Sequence, residues 1–287
     1  MIDRMNSPAR EIEEARIVEA VARLYTSANH RIPADMRAAM ERACEMEESP
    51  AGRETLNLLL RNYDTAAETD LPMCQDTGLA VIMAEVGVDA RIRGDLRRAI
   101  DEGVRRGTRE GYLRASIVAH PLRRVNTRDN TPAVVHVSLA PGNRLRLVCL
   151  PKGGGSENAS ALRMLNPADG REGVIDFVVG RVSEQGVNAC PPLIVGVGIG
   201  ANFEGCALLA KRALLRPLGQ TNPDPDDAAL ETELLCRINA LGIGPGAFGG
   251  SVTTLAVHVE AAPCHIASLP CAVNIQCNAH RKTEVVL

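Results

Sequence analysis

The stretch CPPLIVGVGIGANFEGCALLAKRALL, residues 190–215, decides the fold. It reads as a cysteine, a strand, a glycine loop and a helix. Gly196, Gly198 and Ala201 formally satisfy G-x-G-x-x-G/A, the fingerprint of a dinucleotide-binding βαβ unit. In that unit an acidic residue following the second strand reads the ribose. Here the next aspartate, Asp224, lies beyond the following helix, and no such unit surrounds the glycines. The fingerprint is therefore the sharpest decoy in the chain, and the dinucleotide reading stays open as a competing class. A dinucleotide-dependent oxidoreductase is that class, and an absorption spectrum after anaerobic purification separates it from a cluster protein.

Working outward, the neighbouring segments alternate without a repeat. GVIDFVVGRVSEQG (173–186) reads as a helix, and NPDPDDAALETELLCRINALG (222–242) as a helix capped by Asp224 or Asp226. VTTLAVHVEAAPCHIASLPCAVNIQCNAHR (252–281) is rich in β-formers. LAVIMAEVGV (79–88) reads as a buried strand and DLRRAIDEGVRRGTREGYL (95–113) as a helix. AVVHVSLAPGNRLRLVCL (133–150) carries two β-rich runs around Pro141-Gly142-Asn143, a hairpin pattern. In EIEEARIVEAVARLY (11–25) Ile12, Ala15, Val18, Val21 and Leu24 recur close to the helical period. Pro33 opens a second helix, and RETLNLLLRNYDTA (53–66) reads as a third. The expected architecture is a mixed α+β fold forming one domain over residues 1–287. A helical lobe (1–70) acts as scaffold, and a mixed strand and helix lobe (71–287) carries the chemistry.

Composition narrows the function. The 287 residues are 45% apolar and 23% charged, with a net charge of −3. That balance is ordinary for a globular chain and gives no footprint for nucleic acid or an anionic membrane. Three Phe, three Tyr and no Trp leave no base-stacking platform. No apolar run approaches the ~20 residues needed to span a bilayer. The N-terminal stretch MIDRMNSPAREIEEARIVEA lacks the apolar segment of a leader, so a cytoplasmic location is expected.

Nine cysteines, an odd number and with no C-x-x-C pair, argue against a disulfide framework or a zinc ribbon. Cys149, Cys206 and Cys236 lie in apolar patterns and are expected in the core. Cys44 sits in a charged helix. Cys74, Cys190 and Cys277 stand at loop-like junctions, and Cys264 and Cys271, near prolines, compete with them. A site built by three cysteines from distant segments stays open on spacing alone. KGGGSEN (152–158) lacks the G-K-[ST] order of a phosphate loop, but it offers bare N–H groups at a helix start.

Four motifs in order, CQDTG (74–78), KGGGSEN, CPP followed by GIG, and HIASLPCAVNIQCNAHR (265–281), carry a resemblance. The chain resembles the α-subunit of class I fumarate hydratase and L(+)-tartrate dehydratase from about residue 10 onward. The resemblance implies an oxygen-sensitive hydro-lyase acting on a C4 dicarboxylate, fumarate to malate first and tartrate second. It implies a [4Fe–4S] cluster on Cys74, Cys190 and Cys277, with one iron lacking a protein ligand. It further implies Asp76 as the acid that protonates the departing hydroxyl. Gln75, Arg114, Gly154, Gly155 and His265 would contact the substrate. Single-chain members continue into a second domain that holds the base, so a β-subunit and an α₂β₂ assembly are expected. Lys152 and Arg281 are further cations beside these motifs. A cluster protein that only transfers electrons or senses oxygen is the competing class. The scattered cysteines and the adjacent amide and acid oppose it.

Overall fold

Two four-stranded mixed sheets carry the chain, one in each of two units. A computed structural model describes residues 9–287. The first unit comprises the chain up to Ile32, Tyr63–Lys152 and Arg281–Leu287; the second comprises Pro33–Asn62 and Gly153–His280. Residues 1–8, part of the stretch expected to lack a leader, lie outside the described residues.

In the first unit β1 (Arg10–Glu13) precedes α1 (Glu14–His30). Residues 11–13, expected to begin the helix, are extended instead. They pair in parallel with β3 (Ala90–Arg93), and Glu11 meets Arg93 across the pair. The main sheet has the order β10 (Thr283–Val286), β5 (Leu145–Lys152), β2 (Leu79–Gly87), β4 (Val134–Ala140). Strand β2 sits between β4, its parallel neighbour, and β5, its antiparallel one. The two runs around Pro141-Gly142-Asn143 therefore do not form a hairpin. The apolar run of β2 displaces that pairing because it buries best at the centre of the sheet. α1 and α4 (Leu96–Glu110, capped by Asp95) supply Ile17, Val21, Tyr25 and Ile100 to a core with Ile82, Leu145, Leu147 and Cys149.

In the second unit the order is β6 (Ala161–Leu165), β9 (Leu269–Gln276), β7 (Leu193–Gly200), β8 (Thr254–Ala262). Its helices are α2 (Ala34–Met46), α3 (Pro50–Thr69) as far as Asn62, α5 (Gly154–Asn158), α6 (Gly170–Gln185), α7 (Phe203–Ala213) and α8 (Pro225–Asn239). The first seventy residues are thus shared between the units, with α1 in one and α2 in the other.

The glycines of GVGIG lie inside β7, and no glycine loop follows the strand. A Cβ on Gly196 would stand 2.2 Å from the Ala210 carbonyl oxygen, and one on Gly198 2.1 Å from that of Cys206. Both oxygens belong to the backbone of α7. These glycines let a helix lie directly on the central strand, which accounts for the apparent fingerprint without a nucleotide. Among the described residues no helix is long and apolar enough to cross a membrane.

Candidate functional site

The first unit presents the turn Cys74-Gln75-Asp76-Thr77-Gly78 just before β2. Gly78 has φ +73°, and a Cβ there would stand 2.7 Å from the Lys152 carbonyl oxygen, so only glycine closes the bend. The Gly78 N–H donates to Asp76 Oδ1 at 3.0 Å. Asp76 therefore shapes its own turn, as an aspartate commonly does two residues before a bend. The half-buried Cys74 thiol donates to Oε1 of Gln75 at 3.7 Å, and Gln75 itself is exposed.

Buried groups hold this turn from behind. Asn29 O accepts from Met73 N–H at 3.0 Å, and the Tyr25 hydroxyl donates to Gly78 O at 2.7 Å. The Thr77 hydroxyl donates to Arg114 O at 3.1 Å, and Asn130 Nδ2 donates to the same oxygen at 2.8 Å. Arg114, forty residues on in sequence, is thereby tied to the turn with its side chain exposed. Within this unit the structure brings Cys74, Gln75, Asp76 and Arg114 together. Lys152 and Arg281 are both buried and present no charge at the surface.

In the second unit Cys190 and Cys277 lie at one end of the sheet. β7 begins three residues after Cys190, and β9 ends one residue before Cys277. The register pairs Ile194 with Gln276. Asn278 joins the two loops: its N–H donates to Cys190 O at 3.1 Å and its Nδ2 to the same oxygen at 2.8 Å. Cys190 takes the left-handed conformation (φ 55°, ψ 73°), and its side chain is exposed. The KGGGSEN segment arrives at the same end. The Ser156 hydroxyl donates to Gly153 O at 3.2 Å and lies 3.5 Å from Gln276 Oε1. A Cβ on Gly155 would come within 3.0 Å of Asn188 O. Gly154 and Gly155 are exposed there. Glu157 fixes the segment through Lys211 Nζ at 2.9 Å.

His265 is elsewhere. It occupies the exposed loop between β8 and β9, where its Nδ1 accepts from Ala267 N–H at 3.1 Å. The eight residues of β9 separate it from Cys277. At the rise of a strand that is about 26 Å. His265 and Cys277 thus lie on either side of β9 within this unit.

The remaining cysteines sort by burial. Cys149, Cys206 and Cys271 are buried, and burial pushes the Cys149 and Cys271 thiols up to about 12. Such thiols are poor ligands. Cys236, expected in the core, is exposed on α8, since its helix turns that position away from the sheet. Cys271 lies in β9, which settles it as a core residue, while Cys264 is exposed. Among the described residues no three His, Cys, Asp or Glu side chains are grouped to hold a single metal ion. A cluster makes a different demand, because each cysteine binds a different iron. Cys74 in the first unit, and Cys190 and Cys277 in the second, each lie in an irregular segment and none is fully buried, the condition a cluster-binding thiol needs.

Sequence reasoning missed the buried support, above all Tyr25, Asn29 and Asn130. Their identities carry no motif. For Tyr25 and Asn29 the available signal was the presence of polar residues on the inward face of α1, whereas Asn130 lies in the loop before β4.

Residues 18–286 match the family model for fumarate hydratase (Fumerase). The chain is 39% identical over 274 residues to the putative L(+)-tartrate dehydratase subunit alpha of Methanocaldococcus jannaschii, covering 93% of this chain and 96% of that one. It is 33% identical over 276 residues to the L(+)-tartrate dehydratase subunit alpha of Escherichia coli O157:H7, covering 95% and 91%.

Proposed function

This chain belongs to the fumarate hydratase family, and we propose that it is the alpha subunit of an iron–sulfur hydro-lyase that adds water to, and removes it from, a C4 dicarboxylate. The observation that carries the reading is the Cys74–Gly78 turn. It sets a thiol, an amide and a carboxyl on consecutive residues, with Arg114 bound to the same turn. Electron transfer alone would need no such acid and amide.

Cys74, Cys190 and Cys277 are the residues that would hold a [4Fe–4S] group. When bound, that group supplies a Lewis acid at an iron lacking a protein ligand. The chain's own residues do the rest. The Asp76 carboxyl delivers a proton to the departing hydroxyl oxygen, which makes a poor leaving group a good one. The Gln75 amide, on the neighbouring residue, orients that oxygen. The Arg114 guanidinium grips one substrate carboxylate with two parallel N–H donors. The N–H groups of Gly154 and Gly155 serve as further carboxylate donors. The exposed His265 imidazole serves as a further contact to the substrate.

The base for the carbon-bound proton is assigned to a β-subunit. Both relatives named above are called subunit alpha, which supports a heteromer. An α₂β₂ assembly follows from symmetric pairing of the α-chains. The location is cytoplasmic, and neither nucleic acid nor membrane is a partner.

Fumarate to malate is the first reading, supported by a family model that spans nearly the whole chain. Tartrate is the second, favoured by the names of both relatives. The test is coexpression with the β-subunit, anaerobic reconstitution, and assay of fumarate, malate, mesaconate and both tartrates. Iron-dependent hydration of fumarate supports the first reading, and preferential dehydration of L(+)-tartrate supports the second. A loaded heteromer inert on all of them would overturn the proposal.

A further inference from the structure

Arg281 is a fully buried cation that donates to an amide oxygen and a backbone carbonyl. It is 1% exposed. Its Nη1 donates to Asn29 Oδ1 at 2.8 Å and to the Asp76 carbonyl oxygen at 3.0 Å. Its Nε is buried with no acceptor. Burying a guanidinium costs several kcal/mol unless something nearby compensates. A residue serving only the core would be replaced without loss by an apolar side chain of similar volume. Here the guanidinium reaches from just before β10 to the back of the Cys74–Gly78 turn. Its charge is felt in the same pocket, where it opposes the upward push of burial on the Tyr25 hydroxyl and the Cys149 thiol.

We infer that Arg281 is a positioning residue: by holding the Asp76 carbonyl against Asn29, it fixes the directions of the Cys74 thiol and the Asp76 carboxyl. Asn29 is the anchor. Its side-chain oxygen receives Arg281, and its backbone oxygen receives Met73 N–H, one residue before Cys74. The turn is therefore gripped on both sides of the thiol by two residues that meet each other. The opposite end of the turn is held separately by Tyr25 on Gly78 O and by Thr77 on Arg114 O. Loss of Arg281 should loosen the Cys74 side and leave β2 in place. The consequence for catalysis rests on the proposed function, whereas the clamp itself is a property of the chain alone.

The test uses the full chain without iron, and then the chain joined to its β-subunit. Iodoacetamide labelling with mass-spectrometric readout gives the rate at each cysteine. Arg281→Met removes the donors, and Cys74 should label roughly tenfold faster, while Cys264 stays within twofold and Cys149 and Cys206 remain protected. Amide exchange at residues 73–78 should accelerate by a similar factor. Arg281→Lys keeps a cation that can reach these oxygens, and should return both rates to within about threefold of the parent. In the loaded heteromer Arg281→Met should lower kcat by roughly 10–100-fold with KM within about threefold, since misplacement of about 1 Å costs on that order. If Arg281→Met does not fold, Asn29→Ala removes the anchor oxygen and should give the same Cys74-selective rise. An unchanged Cys74 rate in the folded variants overturns the clamp. So does equal acceleration at Cys74, Cys149 and Cys206, which would mark general loosening. Iron retained by Cys74→Ser would instead refute the proposed ligand set and leave the clamp standing.

Discussion

Asp76 has two separable roles, and two substitutions divide them. Its Oδ1 accepts the Gly78 N–H at 3.0 Å, which shapes the turn. Its carboxyl proton is the one proposed to leave with the hydroxyl. Asp76→Asn keeps an oxygen at the Oδ1 position and so keeps the turn. It removes the transferable proton. A general acid contributes about 10²–10⁴ in rate, or about 3–5 kcal/mol of barrier. The expected Asn variant therefore loses 100- to 10,000-fold in kcat, with full iron content and a Tm within about 2 °C of the parent. Asp76→Ala removes the acceptor as well. A net hydrogen bond is worth about 1 kcal/mol, and more when the acceptor is charged, so Tm should fall by roughly 2–6 °C beyond the Asn variant. The assay is fumarate hydration followed by loss of its ultraviolet absorbance, with iron and Tm measured on the same preparations. An Asn variant within tenfold of parental kcat would leave Asp76 as a turn former and remove it from the mechanism.

Other outcomes follow from the same geometry. Gly198→Ala places a Cβ 2.1 Å from the Cys206 carbonyl oxygen, a backbone atom that cannot swing aside. It should cost at least about 1–3 kcal/mol in urea titration of the iron-free chain; an unchanged midpoint would refute the contact between β7 and α7. Alkaline pH should destabilise the iron-free chain. Burial raises the Cys149 and Cys271 thiols to about 12, so the unfolded chain loses these protons first. Their contribution is complete below about pH 8.5 and declines by about 1.4 kcal/mol per group per pH unit until about pH 12. A stability flat from pH 8 to 11 would contradict that. The isolated, iron-loaded alpha chain should turn over fumarate at under about 1% of the heteromer's rate. Full activity without the β-subunit would require the base to lie within this chain.

Much of the site was legible because it lies in turns. The CQDTG turn needs a glycine at positive φ and an aspartate that bonds two residues on, and both are visible as residue types. The three junction cysteines were separable from core thiols because flanking prolines, amides and charges mark irregular backbone. Cys236 misled because an apolar helix pattern does not say which face turns inward. GVGIG was rejected as a nucleotide loop for want of an acidic partner. Its real cause, a helix backbone resting on a strand, is a tertiary contact with no local signature. The false hairpin around Pro141 failed similarly, since nothing near residue 141 announces that β2 inserts between its arms. The twelve residues between His265 and Cys277 say little about their distance until eight of them are known to be extended. Arg281 was visible only as a charge beside a motif. Its burial beneath the turn comes from a chain end folding back over α1.

Iron and acid-labile sulfide per chain after anaerobic reconstitution test the account most directly. The set is Cys74→Ser, Cys190→Ser and Cys277→Ser, with Cys264→Ser and Cys236→Ser as exposed controls. The account predicts that each of the first three loses most of its iron and its absorption near ~400 nm. Both controls should match the parent. Full iron in any of the first three, or its loss in Cys264→Ser, would contradict the assignment of Cys74, Cys190 and Cys277 as the ligands.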